Sequence, residues 1–196
     1  NDSEDIRRRI AGFAVTPRIS LLVPVYNVET RWLTKCVESV LGQSYGNWEL
    51  CLAADCSTKP TVRPLLERFA RRDDRIKVVF REKNGHISRA TNSALEIATG
   101  EYVALLDNDD ELAPQALLEV VSVINEHPDA DMFYSDEDKI DRNGRRFSPH
   151  FKPDYSPDLL LSTNYISHLG VYRRSIVNGI GGFRVGYEGS QDYDLA

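Results

Sequence analysis

Glu101-Tyr-Val-Ala-Leu-Leu-Asp-Asn-Asp-Asp110 decides how the rest of the chain is read. Tyr102 to Leu106 is an unbroken apolar run, the pattern of a strand covered on both faces. Asp107, Asp109 and Asp110 then crowd three carboxylates together, Glu111 extends the acid run, and Pro114 restarts the chain as a helix. A buried strand that ends in acids places them at the carboxyl edge of a sheet, where open α/β sheets bind ligands. The acids repel one another, and a divalent cation is the usual partner that offsets the repulsion. Oxygen ligands suit magnesium or manganese. Two plainer readings compete. Asp110 and Glu111 can favour the start of the next helix electrostatically, but that task requires no aspartate at the end of a buried strand. A calcium loop fails because Leu112 and Leu118 stand where it needs glycine and glutamate.

Apolar spacing on either side sets the fold class. Residues 19–26, 48–53 and 76–80 read as further strands, with Pro24 near the end of the first, where no ladder donor is needed. Trp32, Leu33, Cys36, Val37, Val40 and Leu41 recur at helical spacing, as do Val62, Leu65, Leu66 and Phe69. A third helix is expected over about residues 87–98, closed by Gly100 as its C-cap. Four strand–helix alternations predict an α/β fold, a mostly parallel central sheet with helices on both faces. Beyond the acids the pattern changes. It predicts a helix through Ala116 and Ile124, a short strand at 132–135, and a hairpin over 138–146 turning at Asn143-Gly144. A polar segment (148–157), a short helix (158–161), a strand (168–173) and a glycine-rich loop (179–182) follow. A last helix begins with Ser190 as N-cap and is cut at Ala196, so the natural polypeptide is expected to continue.

The chain of 196 residues is long enough for one domain with a sizeable core, and its net charge of −6 argues against a nucleic-acid partner. Residues 1–18 are the exception. Arg7, Arg8, Arg9 and Arg18 make a basic arm, read as solvated rather than lipid-bound. No apolar segment is long enough to span a bilayer, and no signal peptide is visible. Cys36, Cys51 and Cys56 are an odd number without a CxxC pair, which points to a reducing compartment and no structural zinc. Cys51 and Cys56 read as buried small residues.

Four loops fall at the ends of consecutive strands: Val23-Pro-Val-Tyr-Asn27, Asp55-Cys-Ser-Thr58, Asn84-Gly85 and Asp107-Asn-Asp109. In a parallel sheet they share one edge and converge on one ligand. This constellation resembles family 2 of the GT-A fold glycosyltransferases, inverting enzymes that use nucleotide sugars. The match runs from about Ile19 to the end of the chain. Val23 to Asn27 looks like the family's opening, Ala54-Asp55-Cys56-Ser57 like its DDxS-type motif, Asn84 to Asn92 like its Asn-rich segment, and Asp107-Asn108-Asp109 like its DXD motif. Ser135-Asp-Glu-Asp138 and Glu188-Gly-Ser-Gln-Asp-Tyr-Asp194 are similar to the subgroup that builds bacterial surface polysaccharides such as O-antigen or capsule. Ala54, His86 and Gln191 depart from the pattern, which often has Asp, Gly and Glu there.

The resemblance implies a GT-A (nucleotide-diphospho-sugar transferase) fold over 19–196, Rossmann-like, with 19–110 the nucleotide-sugar half and 111–196 the acceptor half. It implies a UDP-, dTDP- or GDP-linked donor contacted by Pro24, Tyr26, Asp55, Asn84, Arg89, Asp107 and Asn108, though Arg89 reads equally well as an exposed helix arginine. It implies Mn2+ or Mg2+ on Asp107 and Asp109, bridging the diphosphate, and Asp192 as the base that deprotonates the acceptor hydroxyl. Asp192 can also be a helix cap; Glu188 and Asp194 are its nearby substitutes, Asp194 facing solvent. His168, alone in an apolar strand, reads as a satisfied core group and is left out of the metal site. Asp136, Glu137 and Asp138 line an acceptor groove or form a solvated turn. The acceptor is then a glycan or a lipid-linked hydroxyl, met in the cytoplasm or by peripheral contact at the inner face of the membrane. A phosphate-receiving signalling domain would need an acid pair where Tyr26-Asn27 stands, and a nucleotidyltransferase a basic, glycine-rich loop after the first strand. A non-catalytic nucleotide-sugar-binding module is the remaining rival, and Asp109 and Asp192 argue against it.

Overall fold

The computed structural model describes residues 2–196. Its sheet has six strands: β1 (Ile19–Val25), β2 (Trp48–Ala54), β3 (Ile76–Phe80), β4 (Tyr102–Leu105), β5 (Met132–Phe133) and β8 (Val171–Arg173). They lie in the order β3-β2-β1-β4-β8-β5. β3, β2, β1 and β4 are mutually parallel, and β8 runs antiparallel to both its neighbours. The order reverses between β1 and β4, so the crevice at their carboxyl ends is the topological switch point. β5 and β8 come from the expected acceptor half and extend the same sheet, so the two halves share one core.

Every residue of β1 and β2 is buried, as continuous apolar runs covered on both faces require. The period of two then splits them. Ile19, Leu21, Val23 and Val25 face α2 (Thr30–Leu41), α3 (Val62–Arg72) and α5 (Ala116–Glu126) in one cluster. Leu22, Cys51, Ala53 and Val103 face α4 (His86–Glu96) and α7 (Arg174–Gly179) in the other. That second layer is built of small residues, Ala90, Ala94 and Ala98 among them, which lets α4 lie close to the sheet. The predicted layers are therefore present, with shifted ends. α4 stops at Glu96, and Gly100 is no cap: a Cβ there would sit 2.6 Å from both the Arg18 carbonyl and Ser20 Oγ. The strand expected at 132–135 keeps two residues, the helix expected at 158–161 is α6 (Pro157–Leu160), and α7 was not anticipated. The hairpin is β6 (Glu137–Ile140) with β7 (Arg146–His150), longer than expected on its second arm.

Residues 2–11 correct the solvated arm. They form α1 (Asp2–Ala11), and Ile6, Ile10 and Phe13 pack against the main core. Arg9 donates to both oxygens of Glu119 on α5, at 2.6 and 2.5 Å. A helix with an apolar stripe docks where a polar arm would not, and the stripe is short enough to be hidden by the arginines in sequence. Cys56 is exposed, against the expectation of burial; Cys36 and Cys51 are buried, and all three are free thiols.

At the amino end of the sheet β2 carries Glu49, only 2% exposed. Burial would raise its carboxyl, but Lys77 at 2.7 Å, Ser20 Oγ at 2.6 Å, and the Thr99 backbone and hydroxyl hold it at about 2. A carboxyl depressed in the folded state contributes stability that is complete above its ordinary value of 4.5 and is lost as pH falls towards 2. Glu49→Gln should therefore cost about 3 kcal/mol at neutral pH by urea denaturation, and the gap to the parent should close as pH is lowered through that window.

Candidate active site

The loops after β1, β2 and β3 are locked to one another by side chains. Asn27, Cys56 and His86 follow these strands with φ of 49°, 56° and 59°, a left-handed region that non-glycine residues seldom enter. His86 thus holds a backbone conformation that glycine favours. Asn27 Oδ1 accepts from the Thr58 and Lys59 N–H groups at 2.8 and 3.1 Å, tying the end of β1 to the loop after β2. Asp55 is 2% exposed; its carboxylate accepts from Arg81 Nε at 2.8 Å and from the Gly85 N–H at 3.0 Å. Asn84 Nδ2 donates to the Asp55 carbonyl at 3.2 Å. Gly85 is needed here because a Cβ would meet Arg81 and Arg89 side-chain atoms at 2.7 Å. Asn108 Nδ2 donates to the Pro24 carbonyl at 2.8 Å and bridges the switch point from β4 to β1. Pro24 lies within β1, beyond the last residue that pairs with β4, so its missing N–H breaks no bond on that side.

The acids after β4 open into a cavity of about 1200 Å³. Asp107, Asp109 and Asp110 line it, with Glu137 and His168 opposite. Nε2 of His168 lies 3.6 Å from Asp107 Oδ2 and 3.5 Å from Asp110 Oδ2. Among the described residues, Asp107, Asp110 and His168 bring one ligand atom each within 4.8 Å of one another. Burial pushes the Asp107 carboxyl up, opposed by His168 and reinforced by Asp109 and Asp192. Burial also pushes Asp110 up, again opposed by His168 and reinforced by Asp107, Asp109 and Glu137. The carboxylates are therefore held together at a cost in repulsion.

His168 corrects its reading as a satisfied core group: Nδ1 is buried without a partner and Nε2 faces the acids. A buried lysine puts it there. The Lys152 side chain is 1% exposed; Nζ donates to the Ile166 and His168 carbonyls and to Glu137 Oε2 at 3.1 Å. Glu137 in turn accepts the His168 N–H at 3.1 Å. Nothing local in the sequence around His168 signals this, because the residues that aim it are on β6 and in the segment after β7. Asp110 belongs to the three-residue group, whereas Asp109, expected with Asp107 to hold metal, lines the cavity outside it.

The other expected residues lie around this centre. Tyr26 is half exposed at the end of β1, and Arg89 is exposed on α4. Neither lines the cavity, nor do Pro24, Asp55, Asn84, Asn108 or Asp192. Asp192, in α8 (Gln191–Leu195), accepts from Asn164 Nδ2 at 2.8 Å. Ser190 holds the N-cap position without a side-chain cap bond. Asp194 does not face solvent: its side chain is 8% exposed and paired with Arg184. Asp136 accepts the Lys152 N–H at 2.8 Å, and Asp138 pairs with Arg146 at 2.8 Å, so both brace the cavity wall.

The site is thus an acid cluster at the switch point of a mostly parallel sheet, with a late histidine facing it. The model for glycosyl transferase family 2 matches residues 20–181, and the chain belongs to that family. It is 39% identical to the O-antigen biosynthesis protein RfbC of Myxococcus xanthus, over 95% of this chain and 15% of that protein. It is 31% identical to a chondroitin synthase of Escherichia coli, over 91% of this chain and 26% of that protein. The chain thus spans about a sixth to a quarter of these relatives. Among solved structures, S. aureus TarS 1-349 in complex with UDP matches at 26% identity and a TM-score of 0.72, covering 91% of this chain and 53% of that one.

Two carboxylates and an imidazole are a donor set that accepts Mn2+ more readily than Mg2+, which prefers oxygen alone. Asp110→Asn tests whether repulsion in this cluster is relieved by a cation. Without metal, the variant should melt a few degrees higher than the parent. Added Mn2+ should raise the melting temperature of the parent and have little effect on the variant, as read by differential scanning calorimetry.

Proposed function

We propose that the chain moves a sugar, with inversion, from a nucleotide-diphospho-sugar to a hydroxyl of a glycan or lipid-linked acceptor in surface-polysaccharide synthesis. The observation that carries this reading is the meeting of Asp107, Asp110 and His168 at the carboxyl edge of the parallel sheet, within the field of Asp192. UDP in the TarS complex favours a UDP-linked donor over dTDP or GDP. The names of the relatives, O-antigen biosynthesis and chondroitin synthase, favour a polysaccharide product. The crevice between β1 and β4 takes the nucleotide, with Tyr26 and Arg89 at its rim. Asp55, Asn84 and Asn108 keep its loops in place.

Asp107, Asp110 and His168 would hold a divalent cation, with Asp109 beside them. When bound, that cation offsets the charge of the departing diphosphate. Asn164 holds one oxygen of Asp192 at 2.8 Å and so orients the carboxylate. Asp192 takes the proton of the acceptor hydroxyl as its oxygen bonds to the anomeric carbon. The bond from that carbon to the phosphate oxygen breaks on the opposite face, and the nucleoside diphosphate leaves with the electron pair. No helix of the described residues is long and apolar enough to cross a membrane.

Asp192→Asn should keep UDP binding in Mn2+, measured by calorimetry, while transfer from a UDP-sugar falls about 10²- to 10⁴-fold. Normal transfer by this variant would exclude Asp192 as the base. Failure of the parent to bind UDP, GDP or dTDP in the presence of Mn2+ would count against the whole reading, and nucleotide binding without any transfer would favour a non-catalytic nucleotide-sugar-binding module.

A further inference from the structure

The cavity that the carboxylates line also takes in much of the β6–β7 hairpin, which brings Glu137 and Asp138 as well as cations. Lys139, Ile140, Arg142, Arg146 and Phe147 of the β6–β7 hairpin line it. All of β7 is exposed, with Phe147 at 43% and Ile140 at 38%. Between Lys139 and Phe147 stand four cations (Lys139, Arg142, Arg145, Arg146) and one anion, Asp141, in a chain of net charge −6. Arg146 pairs with Asp138, and Arg145 reaches Asp141 only at 4.0 Å. Among the described residues, Lys139 and Arg142 form no side-chain hydrogen bond or ion pair. A two-stranded hairpin is marginal by itself in water. Here its base is fixed by Lys152, which joins Glu137 to the backbone under His168, and by Asp136, which accepts the Lys152 N–H. The cations are therefore carried at a set position in the lining that the acids share.

We infer that this hairpin lining receives an anionic glycan acceptor, with a carboxylate or phosphate of the chain on Lys139 and Arg142 and the apolar face of a sugar ring on Phe147. The inference rests on the glycosyl-transfer reading and names its acceptor class. An acidic chain entering the cavity is repelled by Asp107, Asp109, Asp110 and Glu137. Unpaired cations in the same lining offset that repulsion and give the chain's anionic groups a place to bind. A neutral glycan would leave both cations without a task. Guanidinium groups suit planar carboxylates and phosphates, and an aromatic ring beside them supplies apolar contact. A membrane is the weaker fit, because the cations share a concave cavity with the carboxylates that an anionic lipid surface would also meet.

The test uses the whole chain, without donor or metal, titrated with three probes: an oligogalacturonate, a glycerol-phosphate oligomer and a neutral galactan oligomer. At least one anionic oligomer should bind, more weakly as salt is raised. The neutral oligomer should not bind at the same concentration. Lys139→Ala/Arg142→Ala should weaken the anionic oligomer about tenfold while the melting temperature and UDP binding in Mn2+ stay those of the parent. Binding of the neutral oligomer as well, an unchanged affinity of the double variant, or no binding of either anionic probe overturns the inference. So does sedimentation with phosphatidylglycerol vesicles in place of binding to the oligomers. UDP binding in Mn2+, read on the same samples, tests the transfer reading separately, since it makes no use of the hairpin.

Discussion

Like charges that cannot move apart govern this molecule. Asp107, Asp109 and Asp110 leave a central strand within four residues of one another, partly buried, with Glu137 and Asp192 adding to the field. Water cannot solvate such a group fully, and burial makes the Asp107 and Asp110 carboxyls harder to ionise. The fold tolerates the cost because β4 is gripped on both sides, by β1 and by β8. A half-buried cluster of acids with one imidazole aimed at it is a poor structural feature and a good cation site. The stability lost there is regained elsewhere, in cores covered on both faces of the sheet.

The rest of the crevice is organised to keep those acids and the neighbouring loops still. Asn27, Asp55, Asn84 and Asn108 are all polar side chains whose atoms bond to backbone of the adjacent loop or strand. Each joins the end of one parallel strand to the end of another. Asn92 does the same across the other face, exchanging two bonds of 2.8 Å with the backbone of Phe183. Polar residues at the end of a sheet can thus serve the site without touching a ligand, by removing the freedom of the loops that do. Lys152 is the extreme case. A nearly inaccessible ammonium, lowered by burial and raised again by Glu137, sets the position of a histidine through its backbone.

Much of the architecture was legible because it follows from period and burial. The runs at 19–25, 48–54 and 102–105 are apolar on both faces, and nothing but a covered parallel sheet accommodates that. The acids at 107–110 were visible because they end such a run. His168 was not, since one histidine in an apolar segment has the same local signature whether it faces a core or a metal. Asp110 was counted in the cluster but left out of the metal set, which the resemblance limited to Asp107 and Asp109. Glu49 gave no signal at all: its partners Ser20, Lys77 and the adjacent Thr99 and Gly100 come from three other places in the chain. α1 was missed because three arginines dominate its composition while its apolar stripe finds a surface only in the folded protein.

By itself, then, the order of residues determined the strands, their parallel arrangement and the edge at which chemistry gathers, because local periodicity carries those. Which acid joins which imidazole, which polar groups brace rather than bind, and which cations share a cavity with the acids were decided only when distant segments packed. Such relations depend on distances between residues far apart in sequence, and no short-range pattern encodes them.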